Sequence, residues 1–174
     1  ILYHPGGSDG ILEKIPWLFP NGDFELIVLG PAFPTLINSA RRISPDSVSL
    51  MKGSLEGGMK EALLKARQHI KQPKRFNNRI AFICNPTAPF GELCPPEEIE
   101  TFGYECAEQG ITLVVDEVGA DFTPIESSII PLTATLPNMI GIRSFSKGYH
   151  LPALPGWAIS SREESERLEK VFLP

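Results

Sequence analysis

Short β-branched apolar runs alternate with stretches of helical periodicity along most of this chain, and that alternation most constrains its fold. Glu25–Leu29, Ser47–Met51, Ile80–Cys84, Ile111–Val115 and Met139–Arg143 read as strands. Between them, Met59, Ala62, Leu63, Ala66 and Ile70 fall on one face of a helix. A second helix begins at Pro96, since proline is tolerated at the first helical position. It carries Ile99, Phe102 and Cys106, with Gly103 and Ala107 on a close-packed side, and Gly110 caps its end. A last amphipathic helix covers Arg162 to Phe172. Pro16 interrupts the first helical pattern, because it removes a helical hydrogen bond. The expected fold is α/β with three layers, α/β/α, around a mostly parallel sheet of about six or seven strands.

Composition narrows the class. With 174 residues and 42% hydrophobic content the chain suits one domain with a core, and disorder is excluded. A net charge of −5 argues against nucleic acid or an anionic membrane as partner, since both need a basic surface. The basic run Lys71–Arg75 reads as a solvated loop. Cys84, Cys94 and Cys106 form no C-x-x-C pair, and Cys84 and Cys106 read as small core residues. His4, His69 and His150 lie far apart, so no metal site is expected. Apolar runs such as Ile80–Cys84 are far shorter than the roughly 18 residues of a membrane helix, and no signal-peptide pattern occurs. A cytoplasmic protein is expected.

Three strands end in residues capable of chemistry: Asn85, Asp116, and the group Ser144, Ser146 and Lys147. In open α/β sheets, ligands bind at the carboxyl ends of strands. The run Leu113–Glu117 by itself resembles the acidic strand end of an ATPase, but neither G-x-x-x-x-G-K-[ST] nor G-x-G-x-x-G accompanies it. Pyridoxal phosphate needs a lysine for a Schiff base, a carboxylate for its ring nitrogen, and donors for its phosphate at a helix N-terminus. Lys147, Asp116, Ser144 and Ser146 supply such groups, and Gly7-Ser8-Asp9-Gly10 opens a helical pattern fit to cradle the phosphate. Taken singly, Lys147 is more often a surface lysine and Asp116 a helix cap. Their joint placement after strands reverses those odds.

Asn85-Pro86-Thr-Ala-Pro89-Phe-Gly91 resembles the N-P-x-x-P-x-G loop of fold type I, class I/II aminotransferases. Asp116-Glu117 through Asp121-Phe122 resembles their D-E-x-x-x-D-F segment, and Arg143-Ser-Phe-Ser-Lys147 their R-S-x-[ST]-K stretch. Order and spacing agree over nearly the whole chain. Within the family, the histidinol-phosphate aminotransferases and threonine-phosphate decarboxylases look most similar. Pro31-Ala-Phe33, Asp121-Phe122-Thr-Pro124, Pro131-Leu132 and Leu151-Pro152 lean towards the decarboxylases. The resemblance implies that Lys147 forms the Schiff base and shuttles the proton, while Asp116 keeps the pyridine nitrogen protonated. It implies that Asn85 bonds the ring oxygen, Phe33 stacks on the ring, and Ser8, Asp9, Ser144 and Ser146 hold the phosphate. The implied activity is transamination of an amino acid, with decarboxylation of a phosphorylated amino acid as the alternative. A non-catalytic domain that binds cofactor or metabolite is the alternative from another class. A homodimer is the implied assembly.

Two positions depart from the family pattern. Gly119 stands where an aromatic, most often tyrosine, is usual. Ala153-Leu154-Pro155-Gly156-Trp157 replaces G-L-R-x-G-[YW], one residue shorter, with Pro155 at the place of the phosphate-binding arginine. Loss of such a contact, about 1.5–3 kcal/mol, weakens cofactor binding roughly tenfold to a hundredfold. Residues 1–174 are expected to be a single cofactor-binding large domain. The N-terminal arm and the small domain, which supplies an arginine for the substrate carboxylate, are expected to be missing.

Overall fold

The computed structural model describes residues 1–19, 21–54, 56–151 and 155–172. Seven strands form one sheet: β1 (Leu2–His4), β2 (Phe24–Leu29), β3 (Val48–Met51), β4 (Asn78–Cys84), β5 (Ile111–Asp116), β6 (Met139–Ser144) and β7 (Gly156–Ser160). Their spatial order is β1-β7-β6-β5-β4-β2-β3. From β6 to β3 all neighbours run parallel, whereas β7 is antiparallel to both β6 and β1. The chain therefore has the expected α/β architecture with a mostly parallel sheet.

Side-chain alternation along each strand divides the interior into two cores. Ile27, Leu29, Ala81, Ile83, Leu113 and Val115 pack with α3 (Gly58–Ile70) and α4 (Pro96–Glu108) on one face. Leu26, Val28, Ile80, Phe82, Val114 and Ile142 meet α1 (Gly7–Lys14), α2 (Pro34–Ile43) and α5 (Arg162–Phe172) on the other. Strands apolar at consecutive positions need this double cover, and burying each large side chain contributes about 1.5–3 kcal/mol.

Several elements differ from expectation. Pro16 lies outside α1, which stops at Lys14; it occupies the first turn of a 3-10 helix, Ile15–Leu18, where its missing N–H breaks no ladder. Gly103 does sit at a close contact, because a Cβ there would lie 2.5 Å from Leu136 Cδ1. Ala107, expected on the same packed side, is exposed. Strand β1, strand β7 and helix α2 (Pro34–Ile43) are not among the elements expected from the sequence; α2 does carry a helical signal, Leu36, Ile37, Ala40 and Ile43 on one face, whereas β7 is defined by its pairing with β6. Among the described residues no helix is long and apolar enough to cross a membrane.

Candidate active site

The ends of β4 and β5 form the floor of a cavity of about 620 Å³. Cys84 and Asp116 are direct partners in the two strands. The ladder continues past them, with the Asn85 N–H donating to the Asp116 carbonyl at 2.9 Å. Asp116 is 7% exposed, and its Oδ1 accepts the Val118 N–H at 3.0 Å. Burial, with the neighbouring charges of Asp9 and Glu117, pushes its carboxyl up to about 6. Among the described residues no cation pairs with it. A buried carboxylate facing a cavity without a counter-charge suits a cationic ring nitrogen.

Beyond β4 the chain turns through a proline-rich loop. The Thr87 N–H donates to the Glu92 carbonyl at 2.8 Å, the Gly91 N–H donates to the Thr87 carbonyl at 2.7 Å, and Gly91 takes a φ of +72°. The peptide bonds Asn85–Pro86 and Ala88–Pro89 are cis. Asn85 is 1% exposed; its Oδ1 accepts the Cys94 N–H at 2.8 Å, while its buried Nδ2 has no partner among the described residues. An orphaned amide donor of this kind costs about 1–3 kcal/mol unless something accepts from it. Its neighbours Cys84 and Pro86 line the cavity.

The rim comes from α1, the turn before α2 and the loop after β6. Ser8 and Asp9 lie in the first turn of α1, which no side chain caps, and Asp9 Oδ1 accepts the Thr35 hydroxyl at 3.0 Å. The approach of this turn to β7 depends on Gly156, where a Cβ would stand 2.3 Å from the Ser8 nitrogen. Phe33 is 42% exposed and its N–H donates to Cys84 Sγ at 3.4 Å. After β6, the buried Ser144 Oγ accepts the Ser146 N–H at 3.1 Å, and Lys147 follows, exposed on the loop. Next to Lys147, Gly148 leaves room for Asp121, whose Oδ2 would lie 2.3 Å from a Cβ there.

Ser8, Asp9, Phe33, Asp116, Ser146 and Lys147, drawn from four segments far apart in the chain, line this one cavity. Asn85 and Ser144 do not line it; they sit behind it, one with a free amide and the other holding Ser146. Sequence reasoning placed Cys84 only in the core. It is buried, and it also lines the cavity beside Asp116. The clue was its position as the residue just before Asn85, at the end of a strand. A clamp also went unread: Arg143 pairs with Glu117 at 3.0 Å and with Asp121 at 3.2 Å, tying the end of β6 to the segment after β5.

Both departures from the family pattern have structural correlates. At Gly119, a Cβ would meet Pro86 Cγ at 3.0 Å, so the proline ring fills the space beside it. Pro155, half-buried just before β7, supplies no cation. Lys147 is the one cation among the described residues lining the cavity. Pro152 and Ala153-Leu154, part of the stretches read from the sequence, lie outside the described residues.

The layered α/β fold with polar strand ends defines the class of protein, and comparison with known proteins then gives the family. The profile of aminotransferase class I and II matches residues 2–171, and the chain belongs to that family. It is 27% identical over 176 residues to the histidinol-phosphate aminotransferase of Brevibacillus brevis, covering 99% of this chain and 46% of that protein. A solved histidinol-phosphate aminotransferase from Sinorhizobium meliloti, in complex with pyridoxal-5'-phosphate, superposes with a TM-score of 0.76 at 25% identity. It covers 97% of this chain and 44% of that one. The L-threonine-O-3-phosphate decarboxylase of Porphyromonas gingivalis shares the fold, with a TM-score of 0.75 at 19% identity over 98% of this chain and 47% of its own. The chain thus spans about half the length of the relatives it matches. The cofactor implied by the motifs is the one held by the Sinorhizobium neighbour.

Proposed function

We propose that residues 1–174 are the cofactor-binding large domain of a pyridoxal-phosphate enzyme that transaminates an amino acid. The observation that carries this reading is Asp116, a buried carboxylate that no cation among the described residues pairs with, on the same cavity as the amine of Lys147. When bound, the cofactor supplies an electron-withdrawing ring that stabilises negative charge at a substrate carbon. Asp116 accepts the ring N–H and keeps that nitrogen protonated. The unpartnered Nδ2 of Asn85, just behind the wall formed by Cys84 and Pro86, would be the donor for the ring oxygen, and the exposed face of Phe33 would cover the ring. The uncapped first turn of α1, with the Ser8 and Ser146 hydroxyls, receives the phosphate; a helix N-terminus favours an anion. Lys147 would be the amine that holds the cofactor, and it would hold and return the proton at the substrate α-carbon.

An amino-acid substrate and homodimeric assembly belong to the same reading. Phe90, Phe122 and Ile125 are all strongly exposed, leaving apolar surface for a second subunit or domain to cover. A second reading, a domain that binds the cofactor without catalysis, is favoured by Pro155, which leaves the phosphate without its arginine. Mixing the protein with pyridoxal phosphate, followed by borohydride reduction and peptide mass mapping, tests the first reading. The expected result is a shifted cofactor absorbance and a label on Lys147, both lost in Lys147→Ala. Equal spectra from wild type and Lys147→Ala overturn it. A label that forms while no amino donor changes the spectrum selects the second reading.

A further inference from the structure

In the cavity wall, groups from three elements meet at one sulfur atom. Cys84 closes β4 opposite Asp116 in β5. Its Sγ accepts the N–H of Phe33, from the turn before α2, at 3.4 Å and lies 3.9 Å from Asp116 Oδ2. With the amide donating to the sulfur, the thiol's own proton is left for the acceptor within reach, which is the carboxylate. The thiol retains that proton, because burial and the Asp116 charge push it well above the ordinary thiol range. Asp116 Oδ1 is held separately by the Val118 N–H.

We propose that Cys84 is a positioning residue: its thiol, fixed by the Phe33 amide, donates to Asp116 and holds the carboxylate ionised and aligned with the Phe33 turn. The purpose of that alignment rests on the cofactor reading above, since Phe33 and Asp116 are the groups assigned to ring face and ring nitrogen. The contact itself does not depend on it. The other charges around Asp116 are Asp9 from α1, Glu117 on its own segment and Lys147 from the loop after β6. Asp9 and Glu117 oppose ionisation, so the donors that favour the charged form are the Val118 amide and the thiol. An alanine at 84 would keep the apolar packing and remove one of those two donors.

Carboxyl-carbon NMR of the full chain, without added cofactor, reads the titration of Asp116 directly. Cys84→Ala is expected to raise its midpoint by about half a pH unit, because a hydrogen bond to the charged form is lost. In wild type, the S–H stretching band of Cys84 is expected to move to lower frequency as Asp116 ionises, with the same midpoint. The band is assigned by its survival in Cys94→Ala and Cys106→Ala. An unchanged midpoint in folded Cys84→Ala, or an S–H band that stays fixed through the titration, overturns the proposal. Should Cys84→Ala fail to fold, the wild-type band decides. Neither measurement uses the cofactor, so its outcome is separable from that of the Lys147 labelling.

Discussion

The end of β5 places two adjacent carboxylates on opposite faces of the sheet, in surroundings that differ sharply. Burial raises both, Asp116 to about 6 and Glu117 in the same direction. On the side of Glu117 the cost is offset within the protein. Arg143 pairs with it at 3.0 Å, the Ser128 hydroxyl donates at 3.0 Å, and the Ile129 N–H donates to its other oxygen. On the side of Asp116 there are one backbone amide and a thiol, but no cation paired with it among the described residues, and a cavity shared with Lys147 opens in front. Desolvation is thus partly offset within the protein on one face and left open on the other. The charge of Glu117 is met by the scaffold, whereas Asp116 faces the cavity with no paired cation among the described residues, as the proposed cofactor role requires.

The difference is broken or sharpened most strongly by Glu117→Ala. Truncation leaves Arg143 and the Ile129 amide short of a partner, and a loss of about 3–5 kcal/mol in urea unfolding is expected. Asp116→Asn should act in the opposite sense. A carboxyl raised from the ordinary 3.8 to about 6 binds its proton more tightly in the folded state. Wild-type stability therefore falls as pH rises from about 4 to 6, and at pH 7 the penalty is roughly 3 kcal/mol. The asparagine variant, free of cofactor, should unfold at higher urea at pH 7 and lose that slope, while its cofactor affinity drops about tenfold to a hundredfold. If Asp116→Asn destabilised the protein as Glu117→Ala does, the contrast between the two faces would collapse.

A smaller effect tests the rim. Gly156→Ala sets a Cβ against the backbone of Gly7 and Ser8, which has no flexible end to yield. A loss of about 1–3 kcal/mol is expected, with weaker cofactor binding as the first turn of α1 is displaced. Pro155→Arg is the mildest change. Stability should stay within about 0.5 kcal/mol, and cofactor affinity, followed by its absorbance, should rise about tenfold.

Much of the fold was legible locally. Ile80–Cys84 and Ile111–Val115 are apolar at successive positions, and only a strand covered on both faces has use for that pattern. Pro96 and Gly110 marked the two ends of α4, and Gly110 has the positive φ, +65°, that its cap role requires. Strand β7 was not legible, because its few half-buried residues carry no strong period and its pairing partner lies in β6. Asp116, Asn85 and Lys147 stood out because each follows a strand. Cys84 and Arg143 did not, since their roles depend on partners that are distant in sequence: Phe33 for one, Glu117 and Asp121 for the other.

The sequence by itself determined the layering of the molecule and the membership of its strand-end chemistry, because apolar periodicity and residue type are local properties that survive in any packing consistent with them. Tertiary structure decided which face each carboxylate serves, that the Cys84 sulfur lies between Phe33 and Asp116, and that Pro86 takes the room beside Gly119. Those outcomes depend on ångström-scale distances between segments that meet only when the sheet is assembled. Charge compensation, hydrogen bonding and steric exclusion are all settled at that range.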